Sequence, residues 1–274
     1  MRNSILYYYD LETEEILFDG ENYYFENYML KKLQRLINYE LYQLFINNNI
    51  YLYRIIFNKF NSYETNINGD VYILLLREKY IPLNFDLILS FSKKIDNYHK
   101  IYWNTLWEKK IDYFESAISF YSSNKCINNI FQYYIGLAEN AIQYFNENND
   151  NYTLHFSHYR IKSKNDFFCP DNLLIDSISR DFAEYIKYLF FDNVIKLDKI
   201  YNVLEKVSFT SDEYILLISR LLFPTYFFDY VEMKKDLFEL QSKIYQYEKL
   251  LSDILSFVRK KVDIPSVEWI TKKI

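Results

Sequence analysis

At 274 residues, half of them hydrophobic and a fifth aromatic, the chain carries enough apolar surface to fill one large domain or two lobes, and too much to remain disordered. A net charge of -5, with only short basic clusters at Lys31-Lys32, Lys109-Lys110 and Arg259-Lys260-Lys261, excludes a general nucleic-acid binder, which needs a basic face. Two distant cysteines, Cys126 and Cys169, exclude a disulfide framework and fit a reducing cytoplasm, and three histidines (His99, His155 and His158) do not suit a structural zinc site.

Alternation near the N-terminus predicts strands over 4–9 and 15–18 joined by a polar turn at 10–14, then a third strand at 23–25 after Gly20. Leu30, Leu33, Ile37, Leu41 and Leu44 recur at helical spacing and predict a helix from 26 to 45. Two more strands, 51–60 and 71–76, are joined by an Asn-rich turn at 61–70. Three strands, a helix and two strands is the order of a kinase-type small lobe. The segment 77–82, closed by Pro82, would be its hinge.

The rest of the chain is predicted to be mainly helical. One helix covers 101–121, with Trp103 and Trp107 on one face as core residues, and a second covers 127–146. Further helices are predicted at 179–191 and at 212–223. The latter has Thr210, Ser211 and Asp212 as candidate caps and Pro224 as its stop. A long amphipathic helix over 232–262 carries Leu237, Leu240, Ile244, Tyr247, Leu251, Ile254 and Val258 as a heptad stripe, suited to packing back onto the domain or to a coiled-coil partner. The apolar stretch 214–231 is interrupted by Arg220, Pro224 and Asp229, which makes it a core helix and not a transmembrane segment. No basic segment followed by an apolar run opens the chain, so no signal peptide is expected.

The stretch 154–191 carries the chemistry. A short strand enters a polar loop, a second strand at 173–175 ends on Asp176, and a helix follows. In a kinase-like phosphotransfer site the loop holds a His-x-Asp and a downstream Asn, and a later Asp holds the metal. Here His158 is present, Asn165 follows at the right interval and Asp176 ends the next strand, but Arg160 stands where the catalytic Asp belongs. Arginine stays protonated at any working pH and cannot accept the proton. Arg160 is expected to pair with Asp176 or Asp181, and Arg180-Asp181, just before the helix, to form part of such a structural network.

Asn165 and Asp176 are oxygen donors suited to Mg2+. The abundance of Asn in this chain also accounts for Asn165, and capping of the following helix also accounts for Asp176. Only Gly20, Gly69 and Gly136 occur, where average usage would give roughly twenty, so no Walker A or GxGxxG loop is available to cradle phosphates. The predicted third strand offers no lysine, because Lys31 and Lys32 fall on the predicted helix, and phosphates would lose a main partner. ATP and Mg2+ are the cofactors the layout calls for, though the residues alone demand neither.

Several segments recur in a familiar order: W-N-T-L-W-E-K-K-I-D-Y-F at 103–114, Y-Y-I-G-L-A-E-N-A-I-Q-Y at 133–144, His158-Tyr159-Arg160, S-R-D-F-A-E-Y at 179–185, S-R-L-L-F-P-T-Y-F-F at 219–228 and I-P-S-V-E-W-I at 264–270. In them the chain resembles the spore-coat kinase-like family typified by CotS, most closely its YutH branch. The first hundred residues match in layout alone. The resemblance implies an α+β, two-lobed protein-kinase-like fold of the aminoglycoside phosphotransferase type. Its small antiparallel-sheet N-lobe would span 1–82, and its helical C-lobe, carrying the degenerate loop, 83–274. It also implies a coat component of endospores, made in the mother-cell cytoplasm, with other coat or scaffold proteins as partners.

The resulting expectation is a catalytically impaired kinase-like protein, a pseudokinase, that acts through interactions. One alternative is an active ATP-dependent phosphotransferase for a small-molecule or protein hydroxyl, with metal on Asp176 and Asp166 or Asp171 as an unconventional base. Another is an all-α scaffold with an unrelated N-terminal sheet.

Overall fold

Two tight turns set the first sheet. Glu26, at φ 47°, turns the chain between Phe25 and Tyr28, and Asn68-Gly69, at φ 55° and 91°, turns it between Ile67 and Asp70. Asn-Gly is the residue pair that tolerates such angles at low cost and matches the twist of a two-residue hairpin. The computed structural model describes residues 1–79, 81–121, 125–161, 163, 165–191 and 197–267. Tyr80 of the expected hinge and residues 268–270 of the last motif lie outside the described residues.

The residues group into two compact units. The first is Met1–Leu87 with His158–Leu174, and the second is Ile88–Ser157 with Ile175–Ile274. The split at 82 was drawn by lobe from the order of elements; the units reflect packing, and they draw a later segment in with the first.

The first unit holds α1 (Arg2–Tyr9), β1 (Leu17–Phe18), β2 (Asn22–Phe25), β3 (Tyr28–Lys32), α2 (Tyr39–Asn47), β4 (Arg54–Ile56), β5 (Thr65–Ile67) and β6 (Asp70–Leu76). The sheet is antiparallel in the order β1-β2-β3-β6-β4, with β5 also paired to β6. The kinase-like order of three strands, a helix and further strands holds, but over different residues. The expected strand at 4–9 is a helix, ended by Asp10 in the left-handed conformation. Its Ile5 is buried in the cluster of Phe25, Leu30, Ile67, Tyr72 and Leu74, so a tertiary contact overrides the β-propensity of Ile-Leu-Tyr-Tyr-Tyr.

The expected helix over 26–45 is also corrected. Its first part is β3, a central strand flanked by β2 and β6, in which Met29, Leu30 and Lys31 are all buried. Helical and strand patterns cannot be told apart in so short an apolar run, and the turn at Glu26 decides for the strand. Helix α2 starts only after Asn38, whose side chain accepts a hydrogen bond from Leu41 N at 2.9 Å. The Asn-rich connection contains a strand of its own, β5, and the strand expected over 51–60 shortens to β4.

The second unit is built on α3 (Phe85–Phe91), β7 (Lys94–Ile95), α4 (Trp103–Tyr121), α5 (Lys125–Phe145), β8 (Leu154–His158), β9 (Leu173–Asp176), α6 (Ser179–Phe191), α7 (Leu197–Lys206), α8 (Ser211–Leu222), α9 (Thr225–Glu232) and α10 (Leu237–Arg259), although the ends of α3, β8 and β9 belong to the first. Strands β7, β8 and β9 form a small sheet in that order. Helix α8 packs against α5 and α6, and its surroundings are aromatic. Trp107 stacks on Phe223 at 4.4 Å, and Tyr134 stacks on Phe227 at 4.5 Å.

Thr210 and Glu213 close a reciprocal capping box at the start of α8. The stretch Ser211–Glu232 is apolar and long enough to cross a membrane by composition, but 83% of the apolar 18-residue window within it is buried in the protein. The long helix expected over 232–262 is α10 alone, preceded by α9. Six of its seven stripe residues, all but Ile244, are buried within the unit, where α10 packs against α5, α8 and α9.

Candidate functional site

Between β8 and β9 the chain makes a closed loop, residues 159–172, with two 3-10 turns at Asp166–Phe168 and Pro170–Asn172. Asn172 ties its two ends. Its Oδ1 accepts from Arg160 N at 3.0 Å, its Nδ2 donates to Arg160 O at 2.6 Å and to Asp166 O at 3.1 Å, and its backbone carbonyl accepts from Tyr159 N at 2.8 Å. An amide is the only side chain that can accept and donate in this way. His158 enters the loop fully buried, its ring 4.1 Å from that of Phe167.

The loop is fastened within the first unit. Phe168 O accepts from Tyr53 N at 3.0 Å, and the Phe168 ring lies 5.3 Å from Tyr51 and 5.5 Å from Tyr53. Asn165 Nδ2 donates to Tyr24 Oη at 3.2 Å, and that hydroxyl donates to Asp19 at 2.7 Å. Burial, reinforced by Asp19, pushes the Tyr24 phenol up to about 12, so it remains a neutral donor.

The third strand does carry a lysine. Lys31, on β3, is 7% exposed, and its Nζ lies 3.0 Å from Asp166 Oδ1 and 3.4 Å from Asp171 Oδ1. Burial works against its charge, but the two carboxylates raise it above the ordinary lysine range. Asp171 is pushed upward by its own burial, with Lys31 opposing. Cys169 donates to Asn165 O, and burial raises its thiol so that it stays protonated beside Lys31.

A second constellation is assembled on Asp176 in the second unit. Its Oδ2 accepts from Arg220 at 2.6 Å, from Trp103 Nε1 at 2.7 Å and from Arg180 at 3.2 Å, and its Oδ1 accepts from Ser177 N at 2.7 Å. Asp176 is 2% exposed, and both arginines are buried. The guanidinium groups lie over the Trp103 ring, Arg180 at 4.0 Å and Arg220 at 4.7 Å. Burial lowers Arg220 to about 10 despite Asp176, and the Arg180 charge adds to the lowering. Asp181 accepts from Ser157 Oγ at 2.6 Å.

Sequence reasoning named Arg180 and Asp181 as network residues, and both hold buried contacts, Arg180 with Asp176 and Asp181 with Ser157. Asn165 packs in the first unit and Asp176 in the second. Asp176 is paired with Arg180 and Arg220. Lys31, Asn172, Trp103 and Arg220 were missed as site residues. The last two lie in the quoted segments at 103–114 and 219–228, and their convergence on Asp176 gives those segments a physical reason. Among the described residues, no group of three or more His, Cys, Asp or Glu side chains comes together as a metal cage.

The profile described as "Spore coat putative kinase YutH" matches residues 89–262. The chain belongs to this family. It is 28% identical over 215 residues to the endospore coat-associated protein YutH of Bacillus subtilis (strain 168), a match spanning 62% of this chain and 61% of that relative. Three solved structures share the fold. An aminoglycoside phosphotransferase from Alicyclobacillus acidocaldarius is 12% identical, with a TM-score of 0.57 over 92% of this chain and 93% of that one. Spectinomycin phosphotransferase APH(9)-Ia, in complex with ADP and spectinomycin, is 12% identical, with a TM-score of 0.52 over 99% and 96%. Amicoumacin kinase hAmiN, in complex with AMP-PNP, Ca2+ and Ami, is 11% identical, with a TM-score of 0.52 over 99% and 96%. The chain therefore has the two-lobed, aminoglycoside-phosphotransferase-like kinase fold, with an antiparallel N-terminal sheet and a mainly helical remainder.

Proposed function

We propose that this YutH-family chain is a kinase-like spore-coat component that acts by binding other proteins and not by phosphoryl transfer. The observation that carries the reading is the state of Asp176. The carboxylate at the metal position already holds two buried guanidinium groups, an indole N–H and a backbone N–H. A dication brought to those oxygens would meet two positive charges where burial leaves little screening. Asp176 in this setting does not fit Mg2+. Arg160 adds a permanent cation where a proton acceptor is needed. The coat role rests on the family and on the B. subtilis relative, and it makes other coat or scaffold proteins the partners and the mother-cell cytoplasm the place of synthesis.

Calorimetric titration of the folded protein with ATP and Mg2+, alongside an assay for phosphate release with hydroxyl acceptors, tests this. No Mg2+-dependent heat and no turnover are expected. Micromolar ATP binding that depends on Mg2+ and is lost in Asp176→Asn, or turnover with any acceptor, would overturn the proposal. The second reading, an active phosphotransferase, is supported by the presence of Lys31 on the third strand, and the same experiment decides between the two.

A further inference from the structure

The first unit contains an ammonium with an unusual set of neighbours. Lys31 is in the centre of the sheet, paired through β3 to β2 on one side and β6 on the other, and its side chain is 9% exposed. A buried ammonium is costly unless it is paired. One carboxylate would be enough, yet two converge on it: Asp166, 25% exposed, and Asp171, 6% exposed. Both come from the 3-10 turns of the loop 159–172, and the loop is held by bonds that do not involve them, Tyr53 N to Phe168 O and Asn172 to Arg160. Ser163 Oγ further holds Asp166 by donating to its Oδ2 at 2.8 Å. Among the described residues, Lys31 thus faces two carboxyl groups. Asp171 bears the cost: burial raises its pKa, with Lys31 at 3.4 Å opposing.

In kinase folds the third-strand lysine is the group that meets nucleotide phosphates. We propose that Asp166 and Asp171 are an internal acidic plug: the chain's own carboxylates occupy Lys31 in place of a phosphate chain, and as like charges they oppose its approach. Lys31 is then a latent polyphosphate site in the first unit, closed from within. This rests on reading the protein as a kinase-like chain with a silent site, and it adds how one part of that site is kept silent.

Inorganic pyrophosphate is the probe, titrated calorimetrically without metal into wild type, Asp166→Asn, the double variant Asp166→Asn/Asp171→Asn, and that double variant with Lys31→Met. Wild type is expected to give no heat at millimolar probe. The double variant should bind about 100-fold more tightly, because two like charges that repelled the anion are gone. Adding Lys31→Met should abolish the gain. Asp166→Asn alone leaves Lys31 paired with the buried Asp171, so it stays informative if the double variant does not fold; an intermediate gain is expected from it.

Tight pyrophosphate binding by wild type would overturn the plug, as would a folded double variant without gain or a gain that survives Lys31→Met. Phosphate release from ATP by wild type is a separate outcome. It would overturn the proposed function, while the plug would still stand or fall on the pyrophosphate titration.

Discussion

Replacing Asp176 with alanine removes one carboxylate from four donors at once. Arg220, Trp103 and Arg180 lose the oxygen they share, and Ser177 N loses its acceptor. With the carboxylate 2% exposed and the arginine side chains 3% and 5% exposed, water cannot take its place without opening the packing. Removing one partner of a buried ion pair costs about 3–5 kcal/mol, because the remaining charge is left uncompensated, and here two such charges remain. Domain stabilities are about 5–15 kcal/mol, so the variant should be folded but marginal. For a unit of this size each kcal/mol shifts the melting midpoint by about 2–4 °C, giving a drop of roughly 10 °C. Thermal unfolding followed by tryptophan fluorescence reads it directly, since Trp103 stacks on both arginines. If Asp176 were a vacant metal ligand, its removal would leave stability unchanged or raised, and Mg2+ would raise the wild-type midpoint. A shift below about 1 °C on substitution, or a clear rise of the wild type with Mg2+, would refute the ionic-hub argument.

Asn172→Ala should unfasten the loop 159–172, costing about 2–3 kcal/mol for the three hydrogen bonds its side chain makes. Amide hydrogen exchange in the loop should quicken. Asn172→Asp should fail to rescue it, because a carboxylate cannot donate to Arg160 O and Asp166 O; unchanged exchange would sink the assignment. His155 supplies a pH test. Its partial burial holds the ring below the ordinary 6.5, with a contact to Thr153 O opposing. The neutral ring is favoured on folding, so its contribution is complete above 6.5 and is lost as pH falls from there through the lowered value. Urea midpoints should fall across that window, and His155→Gln should flatten the slope; identical slopes for the two proteins would count against it.

The helices of the second unit were legible because their apolar spacing is long and regular and their ends are marked, as at the Thr210–Glu213 box and at Pro224. The first unit was less so. Residues 4–9 have strand composition, but burial of the single residue Ile5 in the sheet's core goes with a helix there. The apolar spacing from Leu30 to Leu44 spans a strand and a helix, and only the Glu26 turn separates them. That misplacement hid Lys31. At the site, Arg160 and Asp176 stood out because the loop has a known order of residue types. The partner Arg220 lies 44 residues beyond Asp176, and no local pattern announces a contact of that span. Asp166 and Asp171 were visible only as acids in a polar loop, since nothing local says which lysine they face.

The first unit is not a continuous stretch of chain: Met1–Leu87 is completed by His158–Leu174. During synthesis at about 5–20 residues per second, the sheet emerges several seconds before the loop that supplies the counter-charges of Lys31. Until then the ammonium at the sheet's centre has neither Asp166 nor Asp171, and hydration of its charge competes with closure of the core around β3. The packing of the first unit is therefore complete only once residues 158–174 have been made. A fragment ending at residue 87 would lack the two carboxylates that pair its central charge.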